Sequence, residues 1–358
     1  MSSIDIETKN QLIELAKGNP PPEDAGIFGA DISPDIAQLV IIPVPFELTT
    51  SYGKGTKNTP ELIFEPSHQL DLFDPLFGNP YKVGICVDND DGYVRSQGEQ
   101  AQDAAARVIA AFEKNVEPSV DDLELVNRTS KTVNDAVYKR ACELIDCGKM
   151  VALLGGDHSV SYGLVKALAD HSKLAGGFGI LHFDAHHDLR VCYEGFNHSH
   201  ASIMYNILES IPAVTSLVSL GIRDFSEQEY AYARNSPRVH TLYDREKNDL
   251  IANGKSFAEI IDPFLDKLPD YVYISFDIDG LDPALCPHTG TPVPGGLSYQ
   301  DAMWILERLI EKKKKVIGFD LCEVAPDPDS DWDLNVGARV LYKLCGTLVK
   351  SVGLKDLV

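Results

Sequence analysis

Ile180-Leu181-His182-Phe183-Asp184-Ala185-His186-His187-Asp188 is an apolar β-type run that breaks into a burst of carboxylates and imidazoles. Successive residues of an extended chain point to opposite sides, so Asp184, His186 and Asp188 share one side and can face one pocket. The segment from Ile180 to Phe183 reads as a buried strand. His182 is assigned to the opposite side of that strand, as a hydrogen-bonded core histidine.

Two further stretches repeat the pattern. Leu153 and Leu154 lead into Gly155-Gly156-Asp157-His158-Ser159, and Val272 to Phe276 lead into Asp277-Ile278-Asp279-Gly280-Leu281-Asp282-Pro283. Taken singly, each motif has a plain alternative as a turn or strand-to-helix punctuation. Taken together they offer His158, Asp184, His186, Asp188, Asp277 and Asp279, and aspartates at buried strand ends are costly unless something pairs with them. Carboxylates bridge two cations, and neutral imidazole suits manganese, nickel or zinc. Open parallel sheets place ligands beyond the carboxyl ends of their strands. Three such ends converging imply a dinuclear metal hydrolase.

The rest of the chain alternates between two periodicities. Strands are expected at Leu39 to Val44, Val83 to Val87, Met150 to Leu154, Ile180 to Phe183, Ser216 to Leu220, Val239 to Leu242, Tyr271 to Phe276 and Val316 to Leu321. Helices are expected over Gln100 to Lys114, Lys131 to Cys147, Ser298 to Glu311 and Val336 to Val352, the second with an apolar stripe of Val133, Val137, Ala141, Leu144 and Ile145. This implies an α/β fold: one domain over 39–358, with a largely parallel eight-stranded sheet and helices on both faces in three αβα layers. Residues 1–38, with Pro20 to Pro22 and many acids, read as an N-terminal arm or short helix packed on the domain or on a neighbouring subunit.

Composition narrows the function classes. With 358 residues and 44% apolar content the chain can bury one large core. No apolar stretch has the length of a membrane span and the N-terminus lacks a secretory pattern, so neither a span nor a signal peptide is expected. Seven cysteines without Cys-X-X-Cys spacing point to a reducing, cytoplasmic setting. A formal charge of −22 argues against nucleic acid as a partner.

The three motifs, with Pro43-Val44-Pro45-Phe46, Thr50-Ser51-Tyr52-Gly53-Lys54-Gly55-Thr56, Leu220-Gly221-Ile222-Arg223, Thr289-Gly290-Thr291-Pro292-Val293-Pro294-Gly295-Gly296-Leu297 and Gly318-Phe319-Asp320-Leu321-Cys322-Glu323-Val324-Ala325-Pro326, resemble the ureohydrolase superfamily of arginases, agmatinases and formimidoylglutamases. The resemblance implies an arginase-like fold and two divalent metal ions per chain, Mn2+ by default with Ni2+ compatible. It implies one metal on His158, Asp184, Asp188 and Asp277, and a second on Asp184, His186, Asp277 and Asp279. A hydroxide between the metals would attack the amidino carbon of a small guanidino or formimino substrate. Glu323 matches the family's acid that pairs with the guanidinium, and His200 the histidine that passes a proton to the leaving amine. Asp188 is counted with them among the catalytic residues. His198, two residues away in the same loop, exchanges roles with His200 in an alternative reading and is carried as a substrate-binding candidate. The resemblance also implies a homo-oligomer, a trimer or hexamer.

The substrate stays open at this level. Asp184-Ala185-His186-His187-Asp188-Leu189-Arg190 is closer to formimidoylglutamases, whereas the glycine-rich segment at Thr289 to Gly296 favours the arginase and agmatinase side. Arg190 is a candidate clamp for a substrate carboxylate, against the alternative of an arginine in a surface ion pair. A member of the family that binds metal without catalysis is the remaining alternative.

Overall fold

The computed structural model describes residues 6–22, 24–171, 174 and 176–357. Eight strands form one sheet: β1 Leu39–Val44, β2 Ile85–Val87, β3 Met150–Gly155, β4 Phe178–Phe183, β5 Val214–Ile222, β6 Val239–Tyr243, β7 Tyr271–Asp277 and β8 Lys315–Cys322. Their order is β2-β1-β3-β8-β7-β4-β5-β6, and every neighbouring pair is parallel. Both parities of β1, β4 and most of β7 are buried, so helices cover both faces. The helices are α1 Ile6–Leu15, α2 Thr59–Leu62, α3 Phe64–Ser67, α4 Tyr93–Glu113, α5 Val120–Asp146, α6 Tyr162–His171, α7 Ile203–Ser210, α8 Glu227–Asn235, α9 Asp244–Ala252, α10 Phe257–Leu265, α11 Tyr299–Glu311 and α12 Trp332–Val352.

The expected strands all form, with one shortened end. Val83 lies in a 3-10 turn and Gly84 takes φ 75°, so β2 cannot begin before Ile85. Helices α4 and α5 start earlier than their apolar stripes suggest. No residue of either first turn is buried, and in α5 the Ser119 hydroxyl accepts the Asp122 N–H as a cap. Helix α8 carries no long apolar stripe, whereas α10 carries one of Phe257, Ile260, Ile261, Phe264 and Leu265, and each opens with a capping box, Ser226 with Glu229 and Ser256 with Glu259. The stripe of α5 faces inward as expected, with Val133, Val137, Ala141 and Leu144 buried.

The N-terminal segment packs on its own domain. Leu12 is fully buried, the Phe28 ring meets Tyr342 of α12 edge-on at 4.8 Å, and the Phe28 N–H donates to the Ser67 hydroxyl of α3. No helix among the described residues is long and apolar enough to cross a membrane.

The strand order sets the position of the site. After β3 the chain crosses to β4, runs outward to β6, and returns to place β7 beside β4 and β8 between β7 and β3. The carboxyl ends of four adjacent central strands, β3, β8, β7 and β4, therefore meet at one place.

Candidate metal centre

Each strand end delivers its residues through a tight local turn. The Asp157 carboxylate caps the turn after β3 by accepting from Ser159 N–H at 3.1 Å, and its other oxygen accepts from Leu48 N–H at 3.0 Å. Gly156 is required here, because a Cβ would sit 1.9 Å from the Phe46 carbonyl oxygen. After β4, Asp188 takes φ 54°, and after β8, Glu323 takes φ 62°. Such left-handed conformations cost of order 1–3 kcal/mol for residues with a side chain. Both are candidate site residues.

Four donor atoms converge at the first position. Nδ1 of His158 lies 3.3 Å from Asp184 Oδ2, 3.1 Å from Asp188 Oδ2 and 3.4 Å from Asp277 Oδ2. Ligands about 2.1 Å from a common ion stand roughly 3.0–3.4 Å apart. At the second position Nδ1 of His186 lies 3.4 Å from Asp184 Oδ1 and 3.1 Å from Asp279 Oδ2. Asp184 thus turns one oxygen to each position. Asp277 turns Oδ2 to His158, and its Oδ1 accepts from Asp279 N–H at 2.9 Å.

The electrostatics call for cations. Asp184, Asp188, Asp277 and Asp279 are all at most 4% exposed, and among the described residues no lysine or arginine pairs with them. Burial, then the charge of Asp184, pushes the Asp188 carboxyl up to about 6. Burial, then Asp279 and Asp184, pushes Asp277 well above the usual carboxylate range. His158 Nδ1 is buried and without a hydrogen-bond partner, and its other nitrogen sits 2.8 Å from the Ser275 hydroxyl. Burial disfavours a charged His158, but Asp184, Asp188 and Asp320 outweigh it and raise the imidazole well above its ordinary value, so this position calls for positive charge, which a divalent ion in place of the proton supplies. Two groups of donors close enough to share an ion, His158, His182, Asp184 and Asp188, and Asp184, His186 and Asp279, fit divalent metal, and Asp277 joins the first only through its 3.4 Å approach to His158.

His182 departs from its expected placement. It shares the side of β4 that carries Asp184, and its Nε2 lies 2.8 Å from Asp184 Oδ2 while Nδ1 meets the Ser219 hydroxyl at 3.2 Å. It is hydrogen-bonded and fully buried, as expected of a core histidine. Residues 182 and 184 differ by one full pleat repeat, so they point the same way.

A cavity of about 300 Å³ opens onto His186, Asp188 and His200. The ring of His200 is held at Nδ1 by the Thr49 hydroxyl at 3.2 Å, and burial pushes its pKa down to about 4. Glu323 receives the His158 N–H on Oε1 at 2.9 Å, whereas its Oε2 is buried without a partner. Burial, then Asp157, raises the Glu323 carboxyl well above its ordinary value. His198 is not among the residues lining the cavity; its ring packs edge-on against Tyr162 at 5.7 Å.

Arg190 does line the cavity, but its guanidinium is engaged: Nε lies 3.5 Å from Glu229 Oε2, and the group stacks 4.8 Å above the Tyr193 ring. Sequence reading missed the acidic wall formed by Asp224 and Glu229. Asp224 was findable, since it directly follows Arg223 beyond the end of β5. Glu229 was not, because its capping role in α8 accounts for it locally, and only the fold brings it to Arg190.

Residues 37–346 match the Arginase family. The chain is 31% identical over 334 residues to an N(1)-aminopropylagmatine ureohydrolase of Thermus thermophilus, covering 92% of this chain and 95% of that protein. It is 30% identical to an agmatinase of Pyrococcus horikoshii, covering 87% and 92%. The fold matches that of proclavaminate amidino hydrolase from Streptomyces clavuligerus with a TM-score of 0.70 at 20% identity, covering 93% of this chain and 99% of that one.

Proposed function

Because the chain belongs to the arginase family, whose relatives here hydrolyse non-peptide C–N bonds of linear amidines, we propose that it is a dinuclear-metal amidinohydrolase that splits a guanidino compound with a cationic tail into urea and an amine. The carrying observation is the bare His158 Nδ1 among buried carboxylates, beside a cavity with an acidic wall.

In this reading His158, Asp184, Asp188 and Asp277 hold one ion, and Asp184, His186, Asp277 and Asp279 hold the other. Divalent cations held there would lower the pKa of bound water toward neutrality. Glu323, with Oε1 tied to the backbone and Oε2 free, orients the guanidinium by a charge-assisted pair. The incoming cation supplies the counter-charge that this buried carboxyl lacks. His200, neutral at pH 7 because burial depresses it, accepts the proton released on attack and returns it to the leaving amine.

The tail reading follows from the cavity wall. Arg190, the candidate carboxylate clamp, already has its guanidinium engaged by Glu229. Asp224 remains as a further acid, and Tyr52 and Phe225 add aromatic faces that attract a cation. The names of the relatives, agmatinase and aminopropylagmatine ureohydrolase, agree with a tail that carries an amine and no carboxylate. Manganese as the metal, a homo-oligomer and a cytoplasmic setting remain part of this proposal.

The test is a panel of agmatine, N(1)-aminopropylagmatine, arginine, guanidinobutyrate and formimidoylglutamate, with urea, formamide and amine assayed on manganese-loaded protein. Highest kcat/KM is expected on an amine-tailed guanidine. Turnover of formimidoylglutamate alone would overturn the substrate reading, and turnover of none would favour the non-catalytic one.

A further inference from the structure

Strand register sets four polar side chains in one line across the middle of the sheet. Asp320 of β8 pairs in register with Ser275 of β7, Ser275 with His182 of β4, and His182 with Ser219 of β5. All four are at most 1% exposed. They lie one pleat repeat before the level of Asp277 and Asp184. The row one repeat further back, Gly318, Tyr273, Ile180 and Leu217, has no charged member. Apart from the buried Tyr273 hydroxyl, the polar side chains of these two rows lie in the layer directly beneath the metal ligands, where burial is tolerated only if each is hydrogen-bonded.

The donors and acceptors of this row account for one another. The Ser275 hydroxyl has a single proton, which it donates to Asp320, with Oγ 3.1 Å and 2.9 Å from the two carboxylate oxygens. Toward His158 it can therefore only accept, so His158 carries its proton on Nε2, 2.8 Å away, and leaves Nδ1 bare. Asp184 Oδ2 accepts from His182 Nε2–H at 2.8 Å, which leaves His182 Nδ1 to accept from the Ser219 hydroxyl at 3.2 Å. Besides the Phe276 N–H that Asp320 accepts at 3.3 Å, two side-chain hydrogen bonds lead from the row to the site, one ending on His158 of the first metal position and one on Asp184, which serves both.

We propose that the Asp320-Ser275-His182-Ser219 row is a positioning layer that locks the His158 tautomer and pins Asp184, and so sets the affinity of the metal position shared by His158, Asp184, Asp188 and Asp277. This rests on the metal-centre reading above. Without the Ser275 oxygen, the Nε2 proton of His158 keeps only Asp320 Oδ1, at 3.6 Å, as an acceptor, which is too long for a good hydrogen bond, and the competing tautomer aims N–H at the ion. Removal of such an outer partner weakens metal binding by roughly 10–100-fold. At the second position, His186 and Asp279 receive no bond from the row, and loss of the Ser275 oxygen leaves its affinity unchanged.

The test titrates metal-free full-length protein with manganese against a chelator, together with Ser275→Ala, Ser275→Thr and Asp320→Asn. Wild type is expected to bind two ions. Ser275→Ala and Asp320→Asn should weaken one of them by about 10–100-fold, with the other unchanged, and Ser275→Thr should restore it. Nitrogen-15 spectra of zinc-loaded wild type provide a measurement that needs no variant to fold, and should show His158 protonated on Nε2. Two tight ions in Ser275→Ala, or a proton on Nδ1 of His158, overturns the positioning layer alone. Absence of metal binding by wild type overturns the metal-centre reading and the layer with it.

Discussion

Oε2 of Glu323 lies 2.9 Å from where a Cβ on Gly290 would stand. Glycine at that position is what leaves the buried carboxylate its one open oxygen. A methyl group there must push the carboxylate, or displace the loop that the Thr289 hydroxyl ties to the Glu323 carbonyl at 2.8 Å. Gly290→Ala is therefore expected to lower kcat/KM by on the order of 100-fold, the effect of an ångström-scale misplacement. Metal content by elemental analysis should stay at two ions. Glu323→Gln should do the same through loss of charge, and unchanged kinetics in both variants would remove Glu323 from the guanidinium site.

Asp277 is the carboxylate whose loss separates metal binding from folding. Its ionised form is disfavoured first by burial and then by Asp279 and Asp184, so Asp277→Asn relieves repulsion in the metal-free protein. At pH 7 the metal-free variant should melt no lower than metal-free wild type. It should nevertheless bind at least one ion fewer and lose nearly all activity. Two retained ions with normal turnover would contradict the assignment.

Arg190 and Glu229 make a pair in which the arginine side chain is 38% exposed. Pairs of this kind are worth about 0.2–1 kcal/mol. If the tail of the substrate is cationic, Arg190→Ala removes a repulsive charge and leaves the Glu229 charge without its arginine partner, so kcat/KM on agmatine should hold or rise by up to about five-fold. A loss of roughly 10-fold or more confined to arginine and formimidoylglutamate, which corresponds to about 1.4 kcal/mol, would instead restore Arg190 as a carboxylate clamp.

Asp74 and Lys343 tie the segment before β2 to α12. Burial alone would raise the Asp74 carboxyl, but the Lys343 ammonium and the N–H groups of Phe77 and Leu76 outweigh it and hold the pKa below its ordinary value. A depressed carboxylate stabilises the fold above its unfolded pKa, about 3.9, and that contribution is lost as pH falls through the lower folded value. Lys343→Met should cost about 2 kcal/mol at pH 7. Thermal melts at several pH values should show the gap to wild type narrowing below about pH 4, and a gap that is constant with pH would rule out this pair as its source.

The central strands were legible because both of their faces are buried, which makes each an apolar run bounded by turn residues. The helices were less so. The long striped helices α5 and α12 announced themselves, the short α10 was missed although it carries an apolar stripe, and α8 and α9 are polar over most of their surface and carry only local signals at their first turns. Within the candidate site, strand parity ends with β4 at Phe183, and Asp184 and His186 are brought together by a turn in which the His186 N–H donates to Asp184 Oδ1. His182 lies on the ligand side, contrary to its expected placement, although its role beside Asp184 depends on Ser219 in any case.

Local chemistry in the chain determined the α/β class, the strand ends and the six metal-ligand candidates, since pleat alternation and the cost of burying bare carboxylates act within a few residues. The order in which β7 and β8 return to the centre of the sheet was decided only by tertiary packing, and with it everything that joins distant segments. Glu229 reaches Arg190 from a separate helix, and Asp320 stands beside Ser275 because β8 lies against β7. Such pairings depend on which strands neighbour one another, a choice made by the summed burial of the whole core rather than by any one motif.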